Sequence, residues 1–439
     1  MSRAETREPP GQARWGRLIE GECQIQPRAV YPCVNDSQVG PFSLAIAVGC
    51  LRGQKLDSGP SFLTGRQSLP VDSVNDLTLN PVGKNWCGMT NRALRIGLVG
   101  AGDNTRRRHI PGLRAIPNVE LVGVVNRTAE STARVARDYS IAKQYPNWQA
   151  LIADDSIDAV VVGTWPNLHC EVTCAALAAG KHVLCEARMA RNVAEARQMV
   201  AAAAAHSDRI AMLVPSPFGL ECDPEVSRIV KTGFLGDLRE VVVTGADDQF
   251  HDYSKFLHWR QDSAISGVNV LSLGIMHEVV SRWIPQPNRV FAQAQTFEPS
   301  RPNPQGDGDL RVTVPDSVHV MTQYGQSGAS GLYHFSGITL SGPGKQVHLY
   351  GSLGTVKVIF GEHDQVFVSR MGDKELRPIT IPAEDLGGWR VEAEFIGAIR
   401  CEEAVKRNDF ATGLRDLEFT EAVARSATNA RSITLPLAD

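Results

Sequence analysis

Short apolar runs alternate with helix-period stretches between residues 94 and 214. The apolar runs, which we predict to be strands, cover 94–99, 119–125, 158–163, 182–185 and 209–214. Strands that alternate with helices are typical of repeated strand–helix units around a buried parallel sheet. Gly180 stands where a left-handed residue would end one helix, and Asn192 stands where an N-cap would begin the next.

The pattern changes after Pro215. It predicts a helix near 223–232, a strand at 238–244 and a helix at about 268–284. Residues 355–360 and 365–370 then alternate with the period of two that is typical of half-buried, mostly antiparallel strands. Two helices, at about 389–405 and 411–428, end the chain. This half therefore reads as a second α/β domain with a large open sheet and helices on one side.

Residues 1–88 show neither the helical period nor the alternating period of a strand. They hold scattered proline and glycine and four of the nine cysteines, so we predict a poorly structured N-terminal extension. We expect that Met89 is the real start or that the extension is dispensable. The predicted domains are then 89–214 for the parallel sheet and 215–439 for the open sheet.

The formal net charge of −3 gives no strong field for binding a nucleic acid or an anionic membrane. We therefore predict neither as a partner. The apolar run at 42–51 is too short to cross a bilayer, and no secretory pattern precedes it, which favours a cytoplasmic protein. No cysteine pair has the C-x-x-C spacing of zinc or dithiol sites, so we expect reduced thiols and no metal.

A glycine turn joins the first strand to the first helix. It reads Gly100-Ala101-Gly102-Asp103-Asn104-Thr105. Gly100 permits the tight turn, Gly102 lets backbone amides approach a diphosphate, and the helix N-terminus adds partial positive charge. This context predicts a Rossmann dinucleotide-binding domain, in which Thr105 occupies the third small position and crowds helix against strand slightly.

Asn126 and Arg127 follow the second strand, where an acidic residue would bind the ribose diol of NAD. Because that acid is absent and Arg127 can pair with a 2′-phosphate, NADP is mildly favoured over NAD as the cofactor. The alternative is that Asn126 is a turn residue and Arg127 is solvated.

Several stretches, in this order, resemble the Gfo/Idh/MocA oxidoreductases. They are the glycine turn, Thr164-Trp-Pro-Asn-Leu-His169, Gly180-Lys-His-Val-Leu-Cys-Glu186, His258-Trp-Arg260, Gly351-Ser-Leu-Gly-Thr355 and Leu414-Arg-Asp-Leu-Glu-Phe-Thr-Glu-Ala422. The resemblance implies hydride transfer between a nicotinamide and a sugar, cyclitol or similar compound. It also implies a homo-oligomer, a dimer or tetramer, formed through the open sheet.

The same resemblance implies roles for individual residues. Thr164, Trp165, Pro166 and His169 would line the nicotinamide side, Glu186 with Ala187 would hold the nicotinamide ribose, and Trp259 with Arg260 would close over the cofactor. For His169, a structural place in the first turn of a helix is the alternative.

Two positions depart from the family pattern. The family usually has lysine and proline after the glutamate, whereas this chain has Ala187 and Arg188, as in a family branch with Glu-Ala-Arg. Arg188 would orient the substrate but is a poor proton donor. In the later motif Ser272 and Met276 replace an aspartate and a histidine, so we predict His277, one position on, as the acid–base group. Packing of His277 against a helix is the alternative.

Three functions remain compatible with the sequence. The first is an NAD(P)-dependent dehydrogenase or reductase acting on CH–OH groups. The second is a glycosidase that uses a tightly bound nicotinamide cofactor. The third is a non-catalytic nucleotide-binding sensor of the same fold, favoured by the loss of both usual proton-handling residues.

Overall fold

The computed structural model describes residues 92–325 and 328–438. The predicted extension 1–88 and the expected start at Met89 lie outside the described residues. The structure therefore leaves both predictions untested.

The first sheet has six parallel strands in the order β3-β2-β1-β4-β5-β6. Every residue of β4 and β5 is buried, because helices cover both faces of the sheet. The predicted runs fall within a residue or two of the observed strands, and only the two-residue β3 was not predicted. The strands are β1 Leu94–Val99, β2 Val119–Val125, β3 Lys143–Gln144, β4 Ala159–Val162, β5 His182–Cys185 and β6 Ala211–Leu213.

Five helices connect these strands. They are α1 Ile110–Arg114, α2 Ala129–Asp138, α3 Trp148–Ile152, α4 Pro166–Ala178 and α5 Val193–Ala205, and a π-helical turn, Thr105–His109, precedes α1. Asn192 caps α5 as predicted, because its Oδ1 accepts a hydrogen bond from the Glu195 amide at 2.9 Å. Gly180 lies just beyond α4 with φ of 72°, as expected for a left-handed residue.

The second sheet has nine strands in the order β16-β15-β14-β13-β7-β12-β11-β8-β17. It is mixed, since β7 and β12 pair in parallel while the other pairs are antiparallel. Its strands are β7 Leu238–Ala246, β8 Arg289–Gln295, β11 Ser317–Tyr324, β12 Ala329–Ser336, β13 Gly344–Gly351, β14 Gly354–Phe360, β15 Gln365–Arg370, β16 Arg377–Ile379 and β17 Ile433–Thr434. A separate hairpin pairs β9 Ser300–Pro302 with β10 Asp309–Arg311.

The helices of this half are α6 Asp223–Lys231, α7 Ser263–Ser266, α8 Leu273–Trp283, α9 Val391–Ile399 and α10 Phe410–Asn429. Short 3₁₀ turns cover Trp259–Gln261 and Ala383–Asp385. Helix α8 begins five residues later than predicted, because the preceding segment is bound to the loop after β5. Val268 N donates to the Arg191 carbonyl at 2.8 Å, and Asn269 Nδ2 donates to the Ala190 carbonyl at 2.9 Å.

Helix α9 belongs to the core of the first sheet although it comes late in the chain. Val391, Phe395, Ile396 and Ile399 are buried in the same apolar cluster as residues of β1 and α1. The sequence-based boundary after residue 214 therefore does not describe this packing, since α9 covers one face of the parallel sheet.

Four cysteines of the described part are free thiols, namely Cys170, Cys174, Cys185 and Cys222. Cys401 is disulfide-bonded, so the expectation of reduced thiols is wrong for this residue.

Within residues 92–325 and 328–438 no group of three or more His, Cys, Asp or Glu side chains has the arrangement of a metal site. No helix in the same ranges has both the length and the apolar character to cross a bilayer.

Candidate active site

The glycine turn lies at the carboxyl end of β1, next to the end of β4. A Cβ on Gly100, whose φ is 84°, would lie 2.8 Å from the backbone of Gly163. Gly102 is less crowded, since a Cβ there would make only one contact, an ordinary one of 3.5 Å with the Gly163 oxygen. The Gly102 amide has no acceptor among the described residues. The turn thus brings two strands close together and leaves an amide exposed above them.

The residues after the turn divide into surface and core positions. Asp103 is exposed and pairs with Arg107 at 3.1 Å. Thr105 is buried, and its Oγ1 donates to the Gly100 carbonyl at 3.3 Å. A Cβ on Gly163 would lie 2.2 Å from that Oγ1. The crowding expected from Thr105 is therefore accommodated by a glycine on the neighbouring strand end.

Asn126 supports the glycine turn. Its Oδ1 accepts a hydrogen bond from the Ala101 amide at 2.7 Å, and its Nδ2 donates to the Ser131 carbonyl at 3.1 Å. Both ends of the amide are therefore engaged by the backbone, as in the turn-residue alternative. Arg127 instead places its guanidinium 5.1 Å from the centre of the Trp165 ring.

Two tryptophans from the two halves of the chain stack beside the turn. The rings of Trp165, before α4, and Trp259 lie 5.9 Å apart with an interplanar angle of 19°. The Arg260 guanidinium lies 4.3 Å from the Trp259 ring centre. Together with Arg127 they form a stack in which the two tryptophan rings lie between two guanidinium groups. This stack connects the end of β2 with the segment before α7.

Glu186, which follows β5, belongs to a buried cluster that the sequence did not reveal. Asn104 Nδ2 donates to Glu186 Oε1, and His109 Nε2 contacts the same oxygen at 3.0 Å. The other ring nitrogen of His109 lies 2.6 Å from Glu392 Oε1. Trp389 Nε1 donates to Glu392 Oε2 at 2.9 Å. One imidazole thus joins a carboxylate at the end of β5 to a carboxylate of α9.

The cluster favours a charged imidazole. Burial alone would lower the pKa of His109, but its hydrogen bonds to Glu186 and Glu392 raise that pKa to about 9. Burial would likewise raise the pKa of Glu186, but the hydrogen bond and charge of His109 lower it. Near neutral pH the cluster therefore contains an imidazolium beside the Glu186 carboxylate.

His169 joins the loops that follow β4 and β5. It donates from Nε2 to the Thr164 carbonyl at 3.0 Å and from Nδ1 to the Arg188 carbonyl at 2.9 Å. Two acceptors require two ring protons, so the geometry selects the imidazolium. Burial alone would lower the pKa of His169, but the Cys185 sulfur and the two carbonyls raise it to about 9. Pro166 occupies the first turn of α4 beside this contact, where its missing amide proton costs nothing.

Arg188 is a cation without an acidic partner in the described part of the chain. One terminal nitrogen donates to the Leu271 carbonyl, and Nε is buried without a hydrogen-bond partner. Burial, and then the charge of Arg260, lower the pKa of Arg188 to about 9. Ala187 contributes only a backbone contact, because its amide donates to Glu186 Oε2 at 3.1 Å.

His277 does not join these residues. Its ring stacks on Phe419 with centroids 3.6 Å apart, Nε2 lies 2.5 Å from Gln286 Oε1, and Nδ1 lies 3.3 Å from the Tyr333 hydroxyl. Burial lowers its pKa to about 3, so the ring is neutral. This environment argues against the acid–base role expected from the sequence and agrees with the packing alternative.

The structure therefore brings most of the predicted positions to one edge of the parallel sheet. His109 and Glu392 are the functional candidates that sequence reasoning missed. His109 is hidden in the basic run Arg106–His109, and 283 positions separate it from Glu392. The only signal in the sequence was a histidine on the helix that directly follows the glycine turn.

Two family models match the chain. The model described as "Oxidoreductase family, NAD-binding Rossmann fold" matches residues 94–213. The model described as "GFO/IDH/MocA C-terminal domain" matches residues 225–357.

Two curated proteins are similar to parts of the chain. A 1,5-anhydro-D-fructose reductase of Ensifer adhaerens is 41% identical over 109 residues, which is 25% of this chain and 32% of that protein. A levoglucosan dehydrogenase of Pseudarthrobacter phenanthrenivorans is 28% identical over 205 residues, 46% of this chain and 51% of that protein. The similar regions thus span about a third to a half of these relatives.

Solved structures share the fold over most of their length. A levoglucosan dehydrogenase in complex with NADH and L-sorbose aligns with a TM-score of 0.68 at 23% identity, covering 78% of this chain and 99% of that one. An oxidoreductase domain protein from Kribbella flavida aligns with a TM-score of 0.69 at 23% identity, covering 79% of this chain and 100% of that one.

Proposed function

Because the chain belongs to the Gfo/Idh/MocA family of oxidoreductases, we propose that it transfers a hydride between a nicotinamide dinucleotide and a sugar, cyclitol or related hydroxy or keto compound. One observation carries the proposal. The open glycine turn follows β1, and Glu186, the buried partner of His109, follows β5. Both therefore lie beside the end of β4 at the carboxyl edge of the parallel sheet, where ligands of such sheets bind.

The residues of this edge fit a dinucleotide. Gly100, Gly102, Asp103 and Asn104 would hold the diphosphate through the turn, where the Gly102 amide is free within the described chain. A nicotinamide bound there would accept or supply the hydride. Glu186 would accept hydrogen bonds from the nicotinamide ribose. Its negative charge is secured by His109, so it stays an acceptor at neutral pH.

The aromatic stack would close over the bound cofactor. Trp165 precedes α4 and Trp259 precedes α7, and the two rings already stack on each other. Thr164, Pro166 and His169 would shape the nicotinamide side, with His169 fixing the distance between the two loops through its paired carbonyl contacts.

NADP is the cofactor that we favour mildly over NAD. The end of β2 offers no carboxylate to bind a ribose diol, and Arg127 is the group there that could pair with a 2′-phosphate. Asn126 no longer supports this preference, since its amide is engaged by Ala101 and Ser131. The preference therefore rests on Arg127 alone.

Arg188 would orient the substrate. Its guanidinium has unused donor capacity at Nε and lies near a second cation, Arg260, with no acid paired to it in the described chain. A substrate hydroxyl or carbonyl oxygen would accept from it. With a pKa of about 9 the guanidinium stays protonated near neutral pH, so it cannot take up the proton that alcohol oxidation releases.

Two measurements test the proposal in sequence. Calorimetric titration of the full chain with NADH and NADPH should show binding below the millimolar range. A cofactor-coupled screen should then include sugars, inositols and their keto forms, with levoglucosan and 1,5-anhydro-D-fructose among the first probes. If neither NADH nor NADPH binds, the proposed redox function is wrong.

A non-catalytic sensor is the second candidate, and Ala187 favours it because a methyl group cannot exchange a proton. Cofactor binding without turnover of any screened compound is the outcome expected for a sensor. A single productive substrate would exclude it. The glycosidase alternative predicts nicotinamide that stays bound during gel filtration and shows no net change of redox state.

Self-association through the second sheet completes the proposal. Phe291, Met321 and Leu332 form a row of neighbours across β8, β11 and β12 and are 39%, 56% and 48% exposed. Exposed apolar rows on an open sheet face are typical of contact surfaces between subunits. We therefore propose a homodimer or homotetramer, and a cytoplasmic location stays a prediction from the sequence.

A further inference from the structure

Oxidation of an alcohol releases a proton together with the hydride, and the loop after β5 offers no group to receive it. Glu186 is held as a carboxylate by His109, Ala187 has no ionisable group, and Arg188 keeps its proton. If the proposed function holds, the proton carrier must therefore come from another element.

One cavity connects that loop with two helices of the second half. It has a volume of about 40 Å³ and is lined by Ala187 and Arg188 on one side and by Glu278 of α8 and Asp416 and Thr420 of α10 on the other. A space of this size has room for about three water molecules, and Arg188, Asp416 and Thr420 are among the polar residues of a lining that is otherwise mostly apolar.

Asp416 is the lining acid with no ion pair in the described chain. Glu278 is already paired, because Arg282 donates to its two oxygens at 2.9 and 2.8 Å. Asp416 is 8% exposed, and Gln286 Nε2 donates to its Oδ1 at 3.0 Å. Its carboxyl thus has a fixed position at the cavity wall.

A buried hydrogen-bonded chain supports that position. Gln286, which donates to Asp416, accepts from His277 Nε2 through its own Oε1 at 2.5 Å. His277 in turn contacts Tyr333, whose hydroxyl lies 2.9 Å from that of Tyr324. We assign His277 to this chain as a positioning residue, since its neutral ring fixes the amide orientation of Gln286.

The charges around Asp416 favour proton exchange near neutral pH. Burial, and then the charge of Glu278, raise the pKa of Asp416 to about 7, against smaller lowering effects of Gln286, Ser281 and Arg415. Arg188 faces the same cavity, whereas His277 remains neutral. A carboxyl in this environment can both take up and release a proton in the physiological range.

We propose that Asp416 exchanges the proton of the redox reaction through water held in the cavity beside Ala187 and Arg188. In the oxidation direction the carbinol C–H bond breaks and its hydride passes to the nicotinamide ring. The O–H bond breaks as the carbonyl forms, and that proton moves through water to the Asp416 carboxylate. Reduction runs the same transfers in reverse, so one group serves both directions.

Infrared difference spectroscopy tests the titration without any substrate. The full chain should show a carboxylic-acid C=O band that disappears between about pH 6 and pH 8.5, with its midpoint near neutrality. Asp416→Asn should remove this band, while Asp307→Asn, an exposed acid, should leave it unchanged. A carboxyl band that persists in Asp416→Asn, or no titrating band in the wild type, would overturn the assignment.

Kinetics test the proton transfer itself. Asp416→Asn keeps the acceptor for Gln286, so we expect an intact fold and NADH affinity within about twofold of wild type. With a substrate from the screen, kcat should fall about 10²-fold or more, and the ionisation near neutral pH should vanish from the rate profile. In Asp416→Ala, added formate should restore part of the activity by occupying the vacated space.

The outcomes separate the two proposals. Undiminished turnover by Asp416→Asn, with its pH profile unchanged, would overturn the proton relay alone. Wild-type protein that binds NADH yet turns over no compound would overturn the proposed oxidoreductase function, and the relay with it. Reduced turnover in Asp416→Asn with a wild-type pH profile and no formate rescue would reduce Asp416 to a structural role and also refute the relay.

Discussion

Replacing His109 by glutamine is the perturbation with the clearest expected magnitude. The imidazole is 0% exposed and lies between Glu186 and Glu392, whose side chains are 14% and 5% exposed. Its pKa rises from 6.5 to about 9 on folding. Since one pKa unit corresponds to about 1.4 kcal/mol, the charged imidazole contributes about 3 kcal/mol to the free energy of unfolding.

The pH dependence has a defined sign. A pKa that is higher in the folded state gives stabilisation that is complete below the unfolded value of 6.5 and is lost as the pH rises through about 9. Urea unfolding should therefore show His109→Gln about 3 kcal/mol less stable than wild type near pH 6, and the difference should shrink toward zero above about pH 10. This loss of about 3 kcal/mol in the free energy of unfolding also agrees with the cost of about 3–5 kcal/mol for breaking a buried ion pair.

The assay needs a matched control and a ligand readout. His206→Gln, at the end of α5, changes the same residue type away from the cluster and should leave the unfolding free energy within about 0.5 kcal/mol of wild type. NADH affinity should also fall in His109→Gln, because Glu186 loses the partner that orients it. A stability difference that stays constant from pH 6 to pH 10 would refute the charged-imidazole explanation.

Three further substitutions test separate parts of the proposal. Gly102→Val should abolish cofactor binding by filling the space above the turn while keeping the fold, whereas Gly306→Val, in open space, should change neither. Arg127→Ala should weaken NADPH binding about fivefold and NADH binding less, as measured by titration of both; equal losses would remove the NADP preference. Met321→Lys should lower the mass measured by light scattering if the exposed row joins subunits; an unchanged mass would exclude that surface.

All the parallel strands except β3 were predictable because each one lies in a mostly apolar run, whereas β3 consists of the exposed pair Lys143–Gln144. β4 and β5 are buried along their whole length, so their sequences carry the signal directly. The start of α8 was not predictable in the same way. Asn269 is fixed by the Ala190 carbonyl, and Leu271 adopts φ of 47°, so long-range contacts overrode the local helical pattern.

The residues of the candidate site likewise divide into those with a local sequence signal and those fixed by long-range contacts. Gly100 and Gly102 were recognisable because strand, turn and helix follow one another in sequence. The partners of Glu186 were not, since His109 lies 77 positions before it and Glu392 lies on a helix near the end of the chain. The sequence interpretation of His277 used only its position along a helix. It could not foresee that the ring of Phe419, far along the chain, stacks on the imidazole.

Two side chains from the second half of the chain contribute to the candidate site beside the dinucleotide domain. Glu186 and, from α9, Glu392 together hold the positive charge of His109, which in turn keeps Glu186 ionised at the cofactor edge. Asp416 of α10 lines the cavity beside Ala187. An alanine at this position removes a local proton carrier and also leaves space for water. The same substitution that weakens a catalytic interpretation of the loop therefore opens the path by which α10 can complete the reaction.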